Sequence, residues 1–396
     1  MPRSMKRIAA SLVLAVLCSP ASGLALAACT KIYRPLVIQI DFPGIPRAVD
    51  SNRVKQKFLD EPDRYIREMS HGKACLSGEL TKKWYRMPET MPRYFVPWQN
   101  LKVDKNNLIR LVADSVGQAE RDYDITKYDF VVIVLAANAK QWGNQGLNTY
   151  PGLLGWKDES ALMTPAGSKI NGGIAVFAHT ANVTKIVHNM AHIIGGVRNG
   201  RRVLPDMYDQ DLQSATDVPV GQRALSAYVR SQIHMGAWDP MSCNQCLQRP
   251  GPPGFTSWTR LRLGWLEQDK VRNIKPGESV ELSLGALGDP AAETKAIRIM
   301  LKPPMYYLIE NRQPIGLDKN LPSSGILVMQ GNLSIPEPRF GRAPVRLINA
   351  DPSKPNLDAA AFDIGRNAVF EDKENGIKIE LLRKKGTSYD IRVTRD

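Results

Sequence analysis

Residues 188–192 have the sequence His-Asn-Met-Ala-His, which places His188 and His192 four residues apart. On an α-helix, side chains at this spacing lie on the same face, with their Cβ atoms about 5–6 Å apart. Two imidazoles at that separation can bind the same metal ion. The spacing is weak evidence by itself, because paired helical histidines are more often structural than metal-binding. The sequence around the pair therefore decides how it is interpreted.

The residues that flank the pair predict a helix. Apolar side chains recur every three or four positions and provide a face for a core: Val183, Ile186, Val187, Met190 and Ile194. Thr180 and Asn182 are alternative N-caps for this helix. The glycines at 195 and 196 are expected to end it, because glycine is favoured just beyond a helix.

The sequence before this helix predicts a sheet with helices packed against it. The predicted strands are residues 35–42, 128–137 and 173–179, the last of them at the sheet edge. The predicted helices are residues 51–69 and 106–121. Residues 138–172 are rich in glycine, asparagine and proline and are expected to form a loop. We therefore expect an α/β domain over residues 28–272, with a twisted sheet packed on the helix that carries His188.

From about residue 275 the sequence consists of short strand-like runs. They are residues 280–284, 296–301, 306–310, 326–330, 345–348, 377–382 and 389–393. The stretch Lys385-Gly386-Thr387 predicts a hairpin turn between the last two runs. This pattern predicts a β-rich, sandwich-like C-terminal domain over residues 273–396. We interpret Glu310-Asn311-Arg312 as a structural polar network at the junction of the two domains.

The first 27 residues predict a signal peptide. Arg3, Lys6 and Arg7 provide a positively charged start, residues 8–17 are apolar, and residues 25–27 (ALA) match a cleavage site. No other apolar segment is long enough to cross a bilayer, so the mature chain is expected to have no transmembrane span. The protein is therefore predicted to be exported, either secreted or kept in the periplasm or cell envelope.

Cleavage after Ala27 leaves four cysteines in the mature chain. In an oxidising compartment they can pair as Cys29–Cys75 and Cys243–Cys246. Residues 26–29 (LAAC) also match a bacterial lipobox, which would attach a lipid to Cys29 and leave three thiols. An envelope lipoprotein anchored at Cys29, with a structural or binding role, is therefore an alternative prediction.

The formal net charge of the chain is +14, and beyond the N-terminus the basic residues are scattered. A basic protein attracts polyanions, but no basic run or basic–aromatic stripe stands out in the sequence. We therefore interpret the charge as a solvated basic surface and expect no nucleic-acid partner.

Several further motifs follow one another in a characteristic order. They are residues 204–209 (LPDMYD), 236–242 (GAWDPMS), 254–258 (GFTSW), 263–266 (LGWL), 306–313 (YYLIENRQ) and 321–325 (LPSSG). Together they resemble the immune inhibitor A family of secreted zinc metallopeptidases over most of the mature chain. The resemblance implies a zincin fold, zinc bound by His188 and His192, and a methionine turn at Met241 beneath the metal.

The sequence departs from this family at two positions of the metal site. In the family, glutamate follows the first histidine and takes a proton from the zinc-bound water, whereas this chain has Asn189. An amide can form hydrogen bonds with water but has no basic site that could deprotonate it. A positioned general base is worth about 10²–10⁴ in rate, so hydrolysis is expected to be lost or strongly reduced.

The second departure concerns the third zinc ligand. In the family, Leu-Pro-Asp directly follows the glycine after the zinc helix, whereas here residues 196–203 are inserted before Asp206. The family spacing would put Arg198 at the ligand position, and a guanidinium cannot bind a cation. Asp206 reaches the metal only if the insertion bulges out as a loop. Tyr208 or Asp209 would otherwise have a structural or calcium-related role.

The leading hypothesis is an exported, metallopeptidase-like pseudoenzyme that binds peptides or proteins in an inherited cleft. The alternative is an active secreted zinc endopeptidase that uses a substitute base, with Asp209 and Asp239 as candidates. Both hypotheses require zinc at the histidine pair. They differ in whether peptide hydrolysis survives when Asn189 stands in place of the glutamate.

Overall fold

The computed structural model of the chain describes residues 29–94, 105–138, 141, 149–151, 163–164, 166–167, 170–208, 234–242, 251–339, 341–354 and 357–396. Within these residues, no helix is both long enough and apolar enough to span a membrane. The predicted signal peptide, residues 1–27, lies outside them, as do Asp209, Cys243 and Cys246.

A mixed sheet lies at the centre of the N-terminal part. The strands of this part are β1 (Lys31–Tyr33), β2 (Pro35–Asp41), β3 (Ala74–Leu76), β4 (Glu79–Leu80), β5 (Tyr85–Arg86), β6 (Phe130–Leu135), β7 (Thr149–Pro151) and β8 (Ile174–Ala178). The main sheet has the order β4-β2-β6-β8-β7, and β5 also pairs with β2. Strands β2, β6 and β8 are parallel, whereas β7 is antiparallel to β8. Strands β1 and β3 form a separate parallel pair.

Helices cover both faces of the main sheet. They are α1 (Ser51–Lys55), which continues through a π-helical turn (Gln56–Asp60) into α2 (Glu61–Met69), then α3 (Lys105–Ala119) and α4 (Val183–Gly195). Successive side chains of a strand point to opposite faces. Leu36 and Ile38 of β2 therefore pack with α3, whereas Val37 belongs to the cluster that contains α1, α2 and α4. A short hairpin, β9 (Val197–Arg198) and β10 (Arg201–Arg202), follows α4.

Most of the predicted elements of this part are found in the structure. The strands predicted at 35–42 and 128–137 correspond to β2 and β6, and the helix predicted at 51–69 is continuous from α1 to α2. The strand predicted at residues 173–179 is found as β8, but its predicted place at the sheet edge is wrong, because β8 lies between β6 and β7. Strand β7 has three residues within the tract expected to be loop, which is too short to show a strand pattern.

Two sheets that pack face to face form most of the C-terminal part. Their strands are β11 (Val271–Ile274), β12 (Glu278–Leu284), β13 (Ala296–Met300), β14 (Met305–Arg312), β15 (Gly325–Asn332), β16 (Val345–Leu347), β17 (Val369–Asp372), β18 (Ile377–Lys385) and β19 (Ser388–Arg395). One sheet has the order β11-β13-β14-β15-β16 and the other β12-β19-β18-β17. Ile297 and Ile309 of the first sheet share an apolar cluster with Ile379 and Ile391 of the second.

Each of the seven strand-like runs overlaps a strand, whereas the sequence pattern does not predict β11 or β17. Only two residues of each of these four-residue strands are apolar, which leaves little apolar alternation to detect. The predicted turn after Lys385 joins β18 to β19, and Gly386 has a φ of 57°. Glycine adopts this left-handed conformation without steric cost.

Cys29 and Cys75 form a disulfide, which confirms this predicted pair. The two cysteines are 46 residues apart in sequence, so the bond closes a long loop. Replacing both by alanine is expected to lower the free energy of unfolding by about 2–4 kcal/mol, because the unfolded chain regains the entropy of the open loop. Denaturant unfolding measures this change, and the reduced wild-type protein should match the variant. An unchanged free energy in the variant would show that the bond adds no stability.

Arg312 is the centre of the polar network at the junction of the two parts. Its guanidinium is fully buried and donates to both carboxylate oxygens of Asp318, at 2.6 and 2.8 Å, and to Glu310 at 3.2 Å. It also donates to the carbonyl oxygens of Trp238 and Gly254 at 2.9 Å each. All five N–H groups of the guanidinium therefore have acceptors, which confirms the structural interpretation of this network.

Replacing Arg312 by methionine is expected to lower the free energy of unfolding by about 3–5 kcal/mol, because two buried carboxylates lose their counterion. Arg392→Met is the matched control: its ion pair with Glu281 is solvent-exposed, and such pairs contribute about 0–1 kcal/mol. Urea unfolding of both variants gives the comparison. Equal losses in the two variants would contradict the buried role of Arg312.

Candidate metal centre

Helix α4 carries both histidines of the predicted site. The Asn182 side chain accepts a hydrogen bond from the Lys185 N–H at 2.9 Å, so Asn182 rather than Thr180 is the N-cap. The helix ends at Gly195, and Gly196 follows with a φ of 66°. His188 is 9% exposed and His192 is fully buried, so the pair faces the interior.

Each imidazole is oriented by a backbone carbonyl group. His188 Nδ1 lies 2.8 Å from the carbonyl oxygen of Pro240, and His192 Nδ1 lies 2.7 Å from that of Leu204. A carbonyl oxygen only accepts hydrogen bonds, so each Nδ1 carries the hydrogen. The neutral ring then keeps a lone pair on Nε2. Burial lowers the pKa of His192, although Asp206 opposes this, and the lowered pKa favours the neutral form.

The two Nε2 atoms face each other and the carboxylate of Asp206. His192 Nε2 lies 3.1 Å from His188 Nε2, and Asp206 Oδ1 lies 3.0 and 3.1 Å from the nitrogens of His188 and His192. Three lone pairs therefore converge in a buried space. Ligand atoms about 2.0–2.1 Å from a tetrahedral zinc ion are about 3.3–3.4 Å from each other. The observed triangle is only slightly smaller, so the three residues fit a metal ion.

Residues 196–203 bring Asp206 to the histidines by forming a tight hairpin. Strands β9 and β10 are joined by Asn199-Gly200, both with positive φ, 53° and 69°. The hairpin closes where Val203 N–H donates to the Gly196 carbonyl oxygen at 3.0 Å. Arg198 is exposed on this hairpin, so Asp206 and not Arg198 faces the histidine pair. The Asn-Gly dipeptide is a strong hairpin signal, and it was the available clue to this path.

Asp206 is held as a buried carboxylate. Burial alone would raise the pKa of its carboxyl group, but His192 and His188, when protonated on Nε2 in place of a bound metal ion, hold that pKa well below its usual range. Its second oxygen, Oδ2, lies 3.7 Å from Arg202 Nη1. The Tyr208 hydroxyl is hydrogen-bonded to the same carboxylate, and the Tyr208 ring stacks on His188 at 6.2 Å between centroids. Arg202 and Tyr208 thus help to fix the carboxylate while Oδ1 faces the histidines.

Asn189 does not direct a basic group toward this cluster. The residue is 3% exposed, and its amide Nδ2 donates to the Lys185 carbonyl oxygen at 2.8 Å, one turn earlier on α4. The position that holds the general base in the resembled family therefore holds a group bonded to its own helix.

Asp239, one of the two candidate substitute bases, is engaged elsewhere. Its Oδ1 accepts from the Met241 N–H at 2.8 Å. Its Oδ2 accepts from the N–H and hydroxyl of Thr256 and from the Thr259 hydroxyl, at 2.7–2.8 Å. The residue is fully buried, so we assign it to anchoring the turn around Met241. The other candidate, Asp209, lies outside the described residues.

The turn that contains Met241 packs directly against helix α4. Met241 is fully buried, and its carbonyl oxygen accepts from the Met207 N–H at 2.8 Å. The neighbouring Pro240 carbonyl is the acceptor that orients His188. The sequence motif predicts the turn, but the roles of the Pro240 and Leu204 carbonyls carry no side-chain signature and were not predicted.

Two imidazoles and one carboxylate, with ligand atoms within 4.8 Å of one another, define a class of site that can hold a metal ion. Comparison of the chain with models of protein families and with curated proteins finds no match. The identity of the metal and the chemistry of the site must therefore be argued from the residues themselves.

Proposed function

We propose that this chain is an exported, metallopeptidase-like protein that binds zinc and has lost most or all of its peptide hydrolysis. The observation that carries the proposal is the convergence of His188 Nε2, His192 Nε2 and Asp206 Oδ1 beside an amide at residue 189. The resemblance to the immune inhibitor A family supports a zincin-like domain over residues 28–272, followed by a β-rich domain.

The set of ligand atoms supports zinc as the metal. Zinc sites that retain an open position commonly have three protein ligands, drawn from imidazoles, thiolates and carboxylates. Calcium instead prefers six to eight oxygen ligands, which two imidazoles do not provide. A calcium-related role for Tyr208 or Asp209 stays a prediction.

A zinc ion in this position would acidify a bound water and polarise a peptide carbonyl group. His188 and His192 would bind through Nε2, because the backbone carbonyls that accept from Nδ1 fix the tautomer and the ring orientation. Asn189 then limits the chemistry, because its amide cannot accept the proton that the water must lose. We therefore propose that the cleft retains peptide or protein binding and has lost most or all hydrolysis.

The disulfide bears on the alternative of a lipid anchor. The Cys29 sulfur is bonded to Cys75, so the same sulfur cannot also carry a lipid. Structural disulfides are typical of oxidising compartments, which supports export to the periplasm, the envelope or the medium. We therefore favour the hypothesis of an exported protein without a lipid on Cys29.

Metal content and hydrolysis of the purified protein test the proposal together. We expect one zinc ion per chain in the wild type, none in His188→Ala, and equal, background rates of casein hydrolysis in both. Elemental analysis and a fluorescent casein assay provide the two measurements. A wild type without zinc would refute the metal site. Chelator-sensitive hydrolysis above the His188→Ala rate would instead support the active endopeptidase.

A further inference from the structure

A cavity of about 210 Å³ lies beside the segment between β8 and α4. Its lining includes three apolar side chains and three basic ones: Val49, Val54, Phe58, Arg53, Lys57 and His179. Ala48 is exposed and Val49 half-buried, so these two provide the accessible apolar surface. Val54 and Phe58 are covered beneath it, and Arg53 is exposed at the rim. None of the described residues that line the cavity is acidic.

Among the described residues, no carboxylate is in ion-pair contact with the positive charges of this cavity. Lys57 Nζ donates to the carbonyl oxygen of His179 at 3.0 Å, which is a neutral acceptor. Glu61 lies one turn further along the helix and attracts Lys57 electrostatically, but the two side chains are not in ion-pair contact. Arg53 has no carboxylate partner for its side chain in the described part of the chain. An anion in the cavity would offset the repulsion between Arg53 and Lys57.

His179 adds an unsatisfied polar atom to the same cavity. Its Nε2 is buried and has no hydrogen-bond partner within the described residues. Buried polar atoms nearly always have a partner, so this nitrogen is available to a ligand. Burial, together with Lys57 and Arg53, lowers the pKa of His179. The ring is therefore neutral, and a neutral imidazole with its hydrogen on Nε2 can donate to an anion.

The position of the cavity in the fold also favours ligand binding. Lys57 lies on the π-helical turn Gln56–Asp60, and π-helical turns occur frequently at functional sites. His179 directly follows the carboxyl end of β8, a parallel strand. Open α/β sheets bind ligands beyond the carboxyl ends of their parallel strands.

We propose that this cavity binds a compact carboxylate whose apolar group packs on Ala48 and Val49. The carboxylate is held by Lys57, Arg53 and His179 Nε2. Three donors and an apolar surface in the same lining suit a small branched carboxylate better than inorganic phosphate, which has no apolar surface to bury. The ligand is either a free acid or the C-terminal end of a peptide, because both present the same group.

Calorimetric titration with isobutyrate tests this site. We expect saturable binding of isobutyrate by the full chain, weaker binding of inorganic phosphate, and no binding of the neutral analogue isobutyramide. Lys57→Met should weaken isobutyrate binding about tenfold or more, because a hydrogen-bonded charge is removed. Lys55→Met is the matched control, since Lys55 is exposed on the same helix and pairs with Asp60. N-acetylvaline binding more tightly than isobutyrate would identify a peptide end as the ligand, and weaker binding a free acid.

NMR of the histidine side chains locates the bound acid. We expect isobutyrate to shift the ring signals of His179 and to leave those of His71 unchanged. Shifts confined to His188 and His192 would place the acid at the metal centre and overturn the proposal. Equal affinities of Lys57→Met and Lys55→Met, or binding of isobutyramide as tight as that of isobutyrate, would also overturn it. Arg53→Gln, which changes an exposed rim residue, provides a second variant if Lys57→Met does not fold.

Discussion

Replacing Asn189 by glutamate is expected to raise the rate of peptide hydrolysis about 10²–10⁴-fold, the contribution of a positioned general base. The residue lies next to His188 on α4, and three ligand atoms already converge beside it. The substitution removes the hydrogen bond to the Lys185 carbonyl and leaves a carboxylate free to turn toward bound water. A fluorogenic peptide library, assayed with zinc in slight excess, gives the rate.

Asn189→Gln is the matched control for this experiment. Glutamine has the length of glutamate but no basic site, so its rate should stay at the wild-type level. The double variant His188→Ala, Asn189→Glu should also be inactive, because it has lost a metal ligand. If Asn189→Glu binds zinc and is no faster than Asn189→Gln, the missing base is not what limits hydrolysis, and the cleft itself must be obstructed.

Replacing Asp206 by alanine is expected to weaken zinc binding by more than the roughly 10–100-fold that loss of a second-shell partner costs. The carboxylate oxygen lies 3.0 and 3.1 Å from the two imidazole nitrogens, so the substitution removes a proposed direct ligand and the negative charge that Asp206 contributes to the two histidines. Competition with a chromophoric chelator measures the affinity. The melting temperature in excess zinc should fall in parallel, because ligand binding stabilises the folded state.

Arg198→Ala separates the two positions that sequence spacing allows for the third ligand. Arg198 lies on the exposed hairpin, so its replacement should leave the zinc affinity unchanged. An unchanged affinity in Asp206→Ala would show that the metal, if bound, uses a different third ligand. Asp206→Asn tests the role of the charge in zinc affinity, because asparagine keeps the shape of the side chain and removes the charge.

The two experiments distinguish between the possible causes of the proposed loss of hydrolysis. Asn189→Glu changes proton transfer and should not change the zinc content, whereas Asp206→Ala changes the zinc content and should not create activity. A wild-type protein that binds zinc tightly and gains activity from one carboxylate would be a pseudoenzyme that lacks only its base. A protein that gains nothing from the carboxylate would have diverged further, toward binding alone.

Local elements were largely predictable because their signals lie within a few residues. The apolar period around His188 predicts α4, and the continuous apolar run at 128–137 predicts the central strand β6. The edge-strand prediction for β8 failed because its neighbour β7 has only three residues. Strand order depends on which segments pair across the sheet. A strand of three residues has no sequence pattern from which this order could be predicted.

The sequence by itself determined the pair of imidazoles and the absence of a carboxylate at position 189. Helix geometry sets the spacing of positions 188 and 192, and the chemistry of residue 189 needs no fold to be known. Only the tertiary structure decided that Asp206 lies at the pair, because eight inserted residues leave the distance open until β9 and β10 close. The same holds for Pro240 and Leu204: their carbonyl groups orient the imidazoles from distant segments, through backbone atoms that every residue type shares.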